Sequence, residues 1–108
     1  MEFSKDLVAA SSIPLILSIL QKDASYGYAI LKTVAKISNN SLEWSDGMLY
    51  PVLHRLENQA LIESFWKTAN NGRNRKYYKI TEQGINHLEE QKEQWQVIYH
   101  TLKNNWAK

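Results

Sequence analysis

Residues 45–80 read SDGMLYPVLHRLENQALIESFWKTANNGRNRKYYKI, and this stretch decides the fold. Leu49, Val52, Leu53 and Leu56 recur at the three- and four-residue steps of a helix, which predicts one over about residues 46–59 with a narrow apolar stripe. Ser45 can cap that helix by accepting an amide of its first turn, and Asp46 complements the positive end of its dipole. At about 100° per residue, Gly47, Tyr50, Pro51, His54, Arg55 and Asn58 point away from the stripe. Pro51 lies past the first turn and so breaks a local rule. Such breaks mark function or strain, and a tolerated kink explains this one equally well. Residues 61–67 are strand-like, Asn71-Gly72 is a strong turn signal, and residues 76–80 form a second strand. The expectation is a two-stranded hairpin with its cations at the tip and on the returning strand.

Working backward from this stretch, a helix is expected over about residues 26–37, with Ser25 as its N-cap and Ile30, Val34 and Ile37 facing the core. Asn39-Asn40-Ser41 ends it. An earlier helix lies within residues 4–21. One row, Ile13, Ile16, Leu17 and Leu20, has core spacing, while Leu7, Ala10, Pro14 and Ser18 form a second row that suits a different partner. Pro14 removes one backbone hydrogen bond and either kinks the helix or starts a fresh one after Ser12; a kink is the expectation. Working forward, Thr81 caps a long helix over about residues 82–106, roughly 37 Å at 1.5 Å per residue. Along it Ile85, Leu88, Lys92, Trp95, Tyr99, Leu102 and Trp106 alternate three and four apart. That is a heptad seam, charged only at Lys92. A small domain cannot bury such a seam along its whole length, so its simplest partner is the same helix of a second chain.

Composition narrows the function. The chain has 108 residues, enough for one domain, and 44% apolar residues, enough for a packed core. It contains no cysteine, which removes disulfides, thiolate metal sites and cysteine nucleophiles. The longest apolar run, residues 13–20, is far short of a bilayer span, and the N-terminal residues do not read as a signal peptide. A cytoplasmic protein is expected, with no membrane partner. Net charge is only +2, but Lys67, Arg73, Arg75, Lys76 and Lys79 lie between Ser64 and Thr81 with no acid among them. Removing those five leaves eight bases against eleven acids, so a mildly acidic body carries one basic patch. Such a patch is a footprint for an anionic partner, or else a solvated hairpin. His87 and Glu90 stand three apart without a third ligand, so no metal is expected. No nucleophile has an activating base at a suggestive spacing. An enzyme is therefore not expected, nor a cofactor.

Three helices followed by a basic hairpin describe a winged helix-turn-helix, in which the third helix enters the DNA major groove. The fold class is thus mainly α with a small β-hairpin, and one long C-terminal dimerisation helix. The DNA-binding domain is expected over residues 1–80, with its first helix also at the dimer interface, and the dimerisation helix over 81–108. Ser45, Tyr50, His54, Arg55 and Asn58 can meet bases or phosphates, while Lys67, Arg73, Arg75 and Lys76 meet backbone phosphate at any sequence. Ser25 and Tyr28, at the start of the second helix, join this DNA-binding set. The dimer interface is expected at Ile85, Leu88, Trp95, Tyr99, Leu102 and Trp106. The partners are double-stranded DNA, as an imperfect palindrome, and a second copy of the chain. Fold alone does not separate this reading from a winged-helix protein-interaction module that ignores DNA.

Four segments make a closer likeness: residues 25–31 (SYGYAIL), 47–57 (GMLYPVLHRLE), 61–62 (LI) and 72–84 (GRNRKYYKITEQG). Together they resemble the PadR family of transcriptional regulators. The resemblance implies a winged helix with a C-terminal dimerisation helix, and a repressor relieved by small molecules. The single long final helix is similar to the short, multidrug-sensing subgroup, in which a Trp of that helix and its dimer mate sandwich flat aromatic drugs at the dimer centre. Trp95 falls at the matching position, which implies a ligand site of Leu7, Pro14, Ser18, Lys92, Trp95 and Tyr99. Lys92 and Tyr99 stand where that subgroup's pore has an aromatic and an acid, so a preference for cationic drugs does not carry over. Lys92 leans the choice toward neutral or anionic aromatics.

Overall fold

The computed structural model describes residues 1–108 as four helices and a three-stranded sheet. The order is α1 (Lys5–Lys22), β1 (Ser25–Tyr26), α2 (Gly27–Ile37), α3 (Asp46–Asn58), β2 (Ile62–Thr68), β3 (Asn74–Ile80) and α4 (Glu82–Trp106). The sheet is antiparallel in the order β1-β3-β2. Three helices begin on hydroxyl caps: Ser4 accepts from the Leu7 amide, Ser45 from Met48 and Thr81 from Gly84. Asn39 and Asn40 end α2 with positive φ, a conformation Asn tolerates better than most residues. Gly72, at φ +80°, turns the hairpin, and the Asn71 side chain accepts from the Arg73 amide across it.

Ile16, Leu17 and Leu20 of α1, Ile30 and Val34 of α2, and Leu49, Leu53 and Leu56 of α3 meet Leu61, Ile62 and Tyr78 in one core. Leu88 of α4 completes it at 1% exposure. The winged-helix body therefore closes only with the first turns of α4. A Cβ on Gly84 would strike the Leu61 carbonyl and the Ile80 side chain, so only glycine lets α4 approach this closely. Thr81 fastens the same junction: its hydroxyl donates to the Ala60 carbonyl at 2.6 Å and its amide to the Leu61 carbonyl at 3.1 Å. Beyond Leu88 no residue of α4 is buried, and the helix projects. The radius of gyration is accordingly 15.3 Å, against about 13 Å for a compact chain of this length.

The structure corrects five expectations. Ser25 does not cap α2: it lies in β1, paired with Tyr78, and Tyr26 takes the cap position with no side-chain hydrogen bond. The hairpin is joined by this third strand. Strand β3 starts at Asn74 and not at Lys76, because the ladder with β2 continues to the Thr68–Asn74 pair. Ile37 is 54% exposed, since α2 ends there and the chain turns away. Leu88 does not belong to a dimer seam: it is consumed inside its own protomer. Helix α1 runs from Lys5 to Lys22 through Pro14 as one helix, without the fresh start after Ser12 that is the alternative to a kink.

Candidate nucleic-acid interface

Helix α3 buries Leu49, Leu53 and Leu56 and leaves Tyr50, Pro51, His54, Arg55 and Asn58 exposed. With about 100° per residue, Gly47, Tyr50, Pro51, His54 and Asn58 share one strip, and Arg55 lies at its edge. The strip is the side of the helix free to enter a groove. Ser45 sits at its start but spends its hydroxyl on the Met48 amide, 3.3 Å away.

Beside α3 lies a cleft lined by Tyr26, Gly27, Tyr28, Tyr50, Arg73, Arg75, Lys76 and Tyr78. It forms because β1 is only two residues long. Past Tyr77 the edge of β3 has no β1 partner, and its Lys76 and Arg75 line the cleft together with the start of α2. Three cations and no acid line it, and the N-terminus of α2, which no side chain caps, opens onto it. A helix N-terminus and converging cations both favour a phosphate oxygen. The Tyr50 ring reaches across to Gly27, where a Cβ would collide with the tyrosine hydroxyl. Tyr50 therefore both packs on α2 and lines the cleft. Burial pushes the Tyr78 hydroxyl above the ordinary tyrosine range, with Glu57 and Tyr50 adding to the effect.

The strand alternation divides the cations of the hairpin. Arg75 and Lys79 share the solvent face of β3, while Lys76 shares the face of buried Tyr78. On the solvent face Tyr26, Tyr77 and Phe65 form a row across all three strands, with ring centroids 5.2 and 5.6 Å apart. Arg75 lies 4.5 Å over Tyr26, Lys67 5.3 Å over Tyr77 and Lys79 5.8 Å over Phe65. Each ring faces the charged end of a long cation and so helps fix where that charge stands.

Of the eleven residues expected at DNA, the cleft gathers Tyr28, Tyr50, Arg73, Arg75 and Lys76. His54, Arg55 and Asn58 stand further along α3, Lys67 on the outer sheet face, and Ser25 half-buried in β1. Sequence reading missed Tyr26 and Tyr77, whose roles depend on β1 pairing with β3. It also missed Lys32, which lies 5.4 Å from the Tyr28 ring; the four-residue step between them was the available signal.

The residues expected at a ligand are less closely grouped within one protomer. Leu7 is exposed, Pro14 half-buried, and Ser18 donates to the Leu15 carbonyl. Ser18 lines a depression with Lys22, Asp23 and Thr33, to which α4 contributes nothing. On α4 Trp95 is half-buried, Tyr99 is exposed, and Lys92 pairs with Glu89 at 3.3 Å. No three or more His, Cys, Asp or Glu side chains cluster as metal ligands do, and no helix is long and apolar enough to cross a membrane.

An exposed polar third helix with a basic wing, and between them a cleft lined by three cations and no acid, defines a winged-helix DNA-binding protein. The PadR-like transcriptional regulator family matches residues 16–90, and the chain belongs to that family. It is similar to an uncharacterized protein of Lysinibacillus sphaericus, at 32% identity over 86% of this chain and 85% of that one. It is 35% identical to the transcriptional regulator YqjI of Escherichia coli over 82% of its own length, and spans 41% of that longer protein. Among solved structures, the PadR-like transcriptional regulator of Bacillus cereus superposes with a TM-score of 0.85 at 31% identity, covering 96% of this chain and 99% of that one. Family membership makes the chain a DNA-binding transcriptional regulator and not an enzyme. PadR-like regulators bind DNA, typically as dimers.

Proposed function

We propose that the chain is a repressor that holds an imperfect palindrome as a homodimer and is released by a small planar aromatic molecule at the dimer centre. In this reading residues 1–80 read DNA and 81–108 assemble the dimer, through Ile85, Trp95, Tyr99, Leu102 and Trp106. The cleft of Arg73, Arg75 and Lys76 beside the exposed strip of α3 carries the DNA half of the reading. Arg73 and Arg75 supply affinity at any sequence, and His54 and Asn58 supply discrimination. A two-fold dimer meets the groove twice, so half-sites are expected about one helical turn apart. The projecting half of α4 supports the assembly, because Tyr99, Leu102 and Trp106 are 54%, 42% and 69% exposed in the protomer. The ligand site is Trp95 and its symmetry mate, with Lys92, Tyr99, Leu7, Pro14 and Ser18 around them. Two indoles offer stacking from both chains at once, and the ligand acts by favouring one spacing of the two α3 helices over another. Lys92 favours neutral or anionic aromatics such as phenolic acids over cationic drugs.

The test is a salt titration of duplex binding. Wild type should lose affinity steeply with salt, and Arg73→Ala and Arg75→Ala should each flatten the slope of log K against log salt by about 0.9. A slope that neither substitution moves would remove the cleft from the interface.

A further inference from the structure

Helix α3 and the wing must meet DNA together, yet one side chain spans the gap between them. Glu57, near the end of α3, has one carboxylate oxygen accepting from the Ser64 hydroxyl of β2. The other lies 3.8 Å from the Lys76 ammonium of β3. Ser64 pairs with Tyr78 in the ladder, and the Lys76 ammonium stands 5.6 Å from the Tyr78 ring. The carboxylate is therefore tied to both strands of the wing from the helix that carries His54 and Asn58. At 29% side-chain exposure Glu57 is largely withdrawn from water, while Lys76, at 41%, still lines the cationic cleft. An ion pair of this exposure adds little to folding stability. Its consequence falls on DNA, because a cation already facing a carboxylate displaces fewer counterions from a phosphate than a free one.

We infer that Glu57 is a positioning residue that fixes the wing against α3 through Ser64 and withholds Lys76 from non-operator phosphates. The inference rests on the DNA reading above and adds a role to a residue outside the contact set. It predicts two separable effects. Loss of the Ser64 strap frees the angle between wing and reading helix, which weakens binding to the one sequence that needs both. Loss of the negative charge frees Lys76 for phosphates it otherwise leaves alone, which strengthens binding to non-operator sequence.

Glu57→Gln separates them, since the amide keeps an acceptor for Ser64 and removes the charge. The whole 108-residue chain would be titrated with salt against two duplexes: poly(dI-dC), and a duplex enriched from a random pool by the wild type. Glu57→Gln should bind poly(dI-dC) more tightly, with a log–log salt slope steeper by up to about 0.9, the value of one phosphate. The preference for the enriched duplex should shrink by the same fold-change. Adding Lys76→Ala to Glu57→Gln should abolish the gain, whereas Lys76→Ala alone should move the slope on poly(dI-dC) much less. Ser64→Ala should weaken binding to the enriched duplex and leave the slope unchanged. A wing that has merely lost a structural contact would bind both duplexes more weakly without a steeper slope, and that result overturns the inference. So does a Glu57→Gln protein with wild-type slope and affinity. A wild type that binds neither duplex at low salt fails the DNA reading itself and takes this inference with it.

Discussion

The winged-helix body and the projecting half of α4 use apolar residues at similar spacing and to opposite ends. In the body Ile16, Leu17, Ile30, Val34, Leu49, Leu53 and Leu56 are fully buried. On α4 beyond Leu88, Val97, Ile98, Tyr99, Leu102 and Trp106 are between 42% and 69% exposed. One heptad pattern runs through both regions, from Ile85 to Trp106. The periodicity of a seam states that a face will be covered and not by what. Here Leu88 is covered by its own protomer, and the same pattern from Tyr99 onward is open in it.

Leu88→Ala and Leu102→Glu set the two regions against each other. Leu88 fills the core, so Leu88→Ala should lower unfolding free energy by about 2–5 kcal/mol, read by urea denaturation. Leu102→Glu should leave far-ultraviolet circular dichroism native while sedimentation shows a halved mass. If both variants unfold alike, or Leu102→Glu remains a dimer, the boundary drawn at Leu88 is misplaced. A smaller effect belongs to the reading strip. His54→Ala or Asn58→Ala should narrow the gap between operator and random duplex by about 1–3 kcal/mol where a base contact is lost, with the mass unchanged. Equal losses on both duplexes would show that the strip only positions. The smallest effect falls on the ligand. Trp95→Ala should weaken binding of planar phenolic compounds by at least the roughly 0.5–1.5 kcal/mol of an aromatic pair, while the dimer persists. Fluorescence titration gives the affinities, and a panel indifferent to Trp95→Ala would assign that ring to packing.

Much of this was legible beforehand, for reasons that differ by element. The bounds of α4, residues 82–106, follow from the Thr81 hydroxyl and an uninterrupted period, both local properties. The stripe of α3 and the Asn71-Gly72 turn are local too. Strand β1 is not: two residues carry no period, and Ser25-Tyr26 becomes a strand only because β3 lies beside it. Ser25 has the composition of a cap, and the ladder claims its backbone first. Ile37 keeps core spacing one turn past where the core ends. Part of the site shares this character. His54, Arg55, Asn58, Arg73 and Arg75 were legible from face and charge. The bridging position of Glu57 depends on how the hairpin folds back against α3, and the Tyr26–Tyr77–Phe65 row on strand register, which no spacing along the chain reveals.

The junction at Thr81 and Gly84 makes α4 a lever. Its short arm is locked to the turn that ends α3, through the Ala60 and Leu61 carbonyls, and its long arm extends about 33 Å from Gly84 to Trp106 at 1.5 Å per residue. A tilt of about 5° at that fulcrum carries Trp106 roughly 3 Å sideways. In the opposite direction, in the proposed dimer, a shift of a few ångströms where two such arms meet would re-aim each reading helix by a few degrees. The glycine that permits so close a bearing thus sets the gearing between the two ends of the molecule.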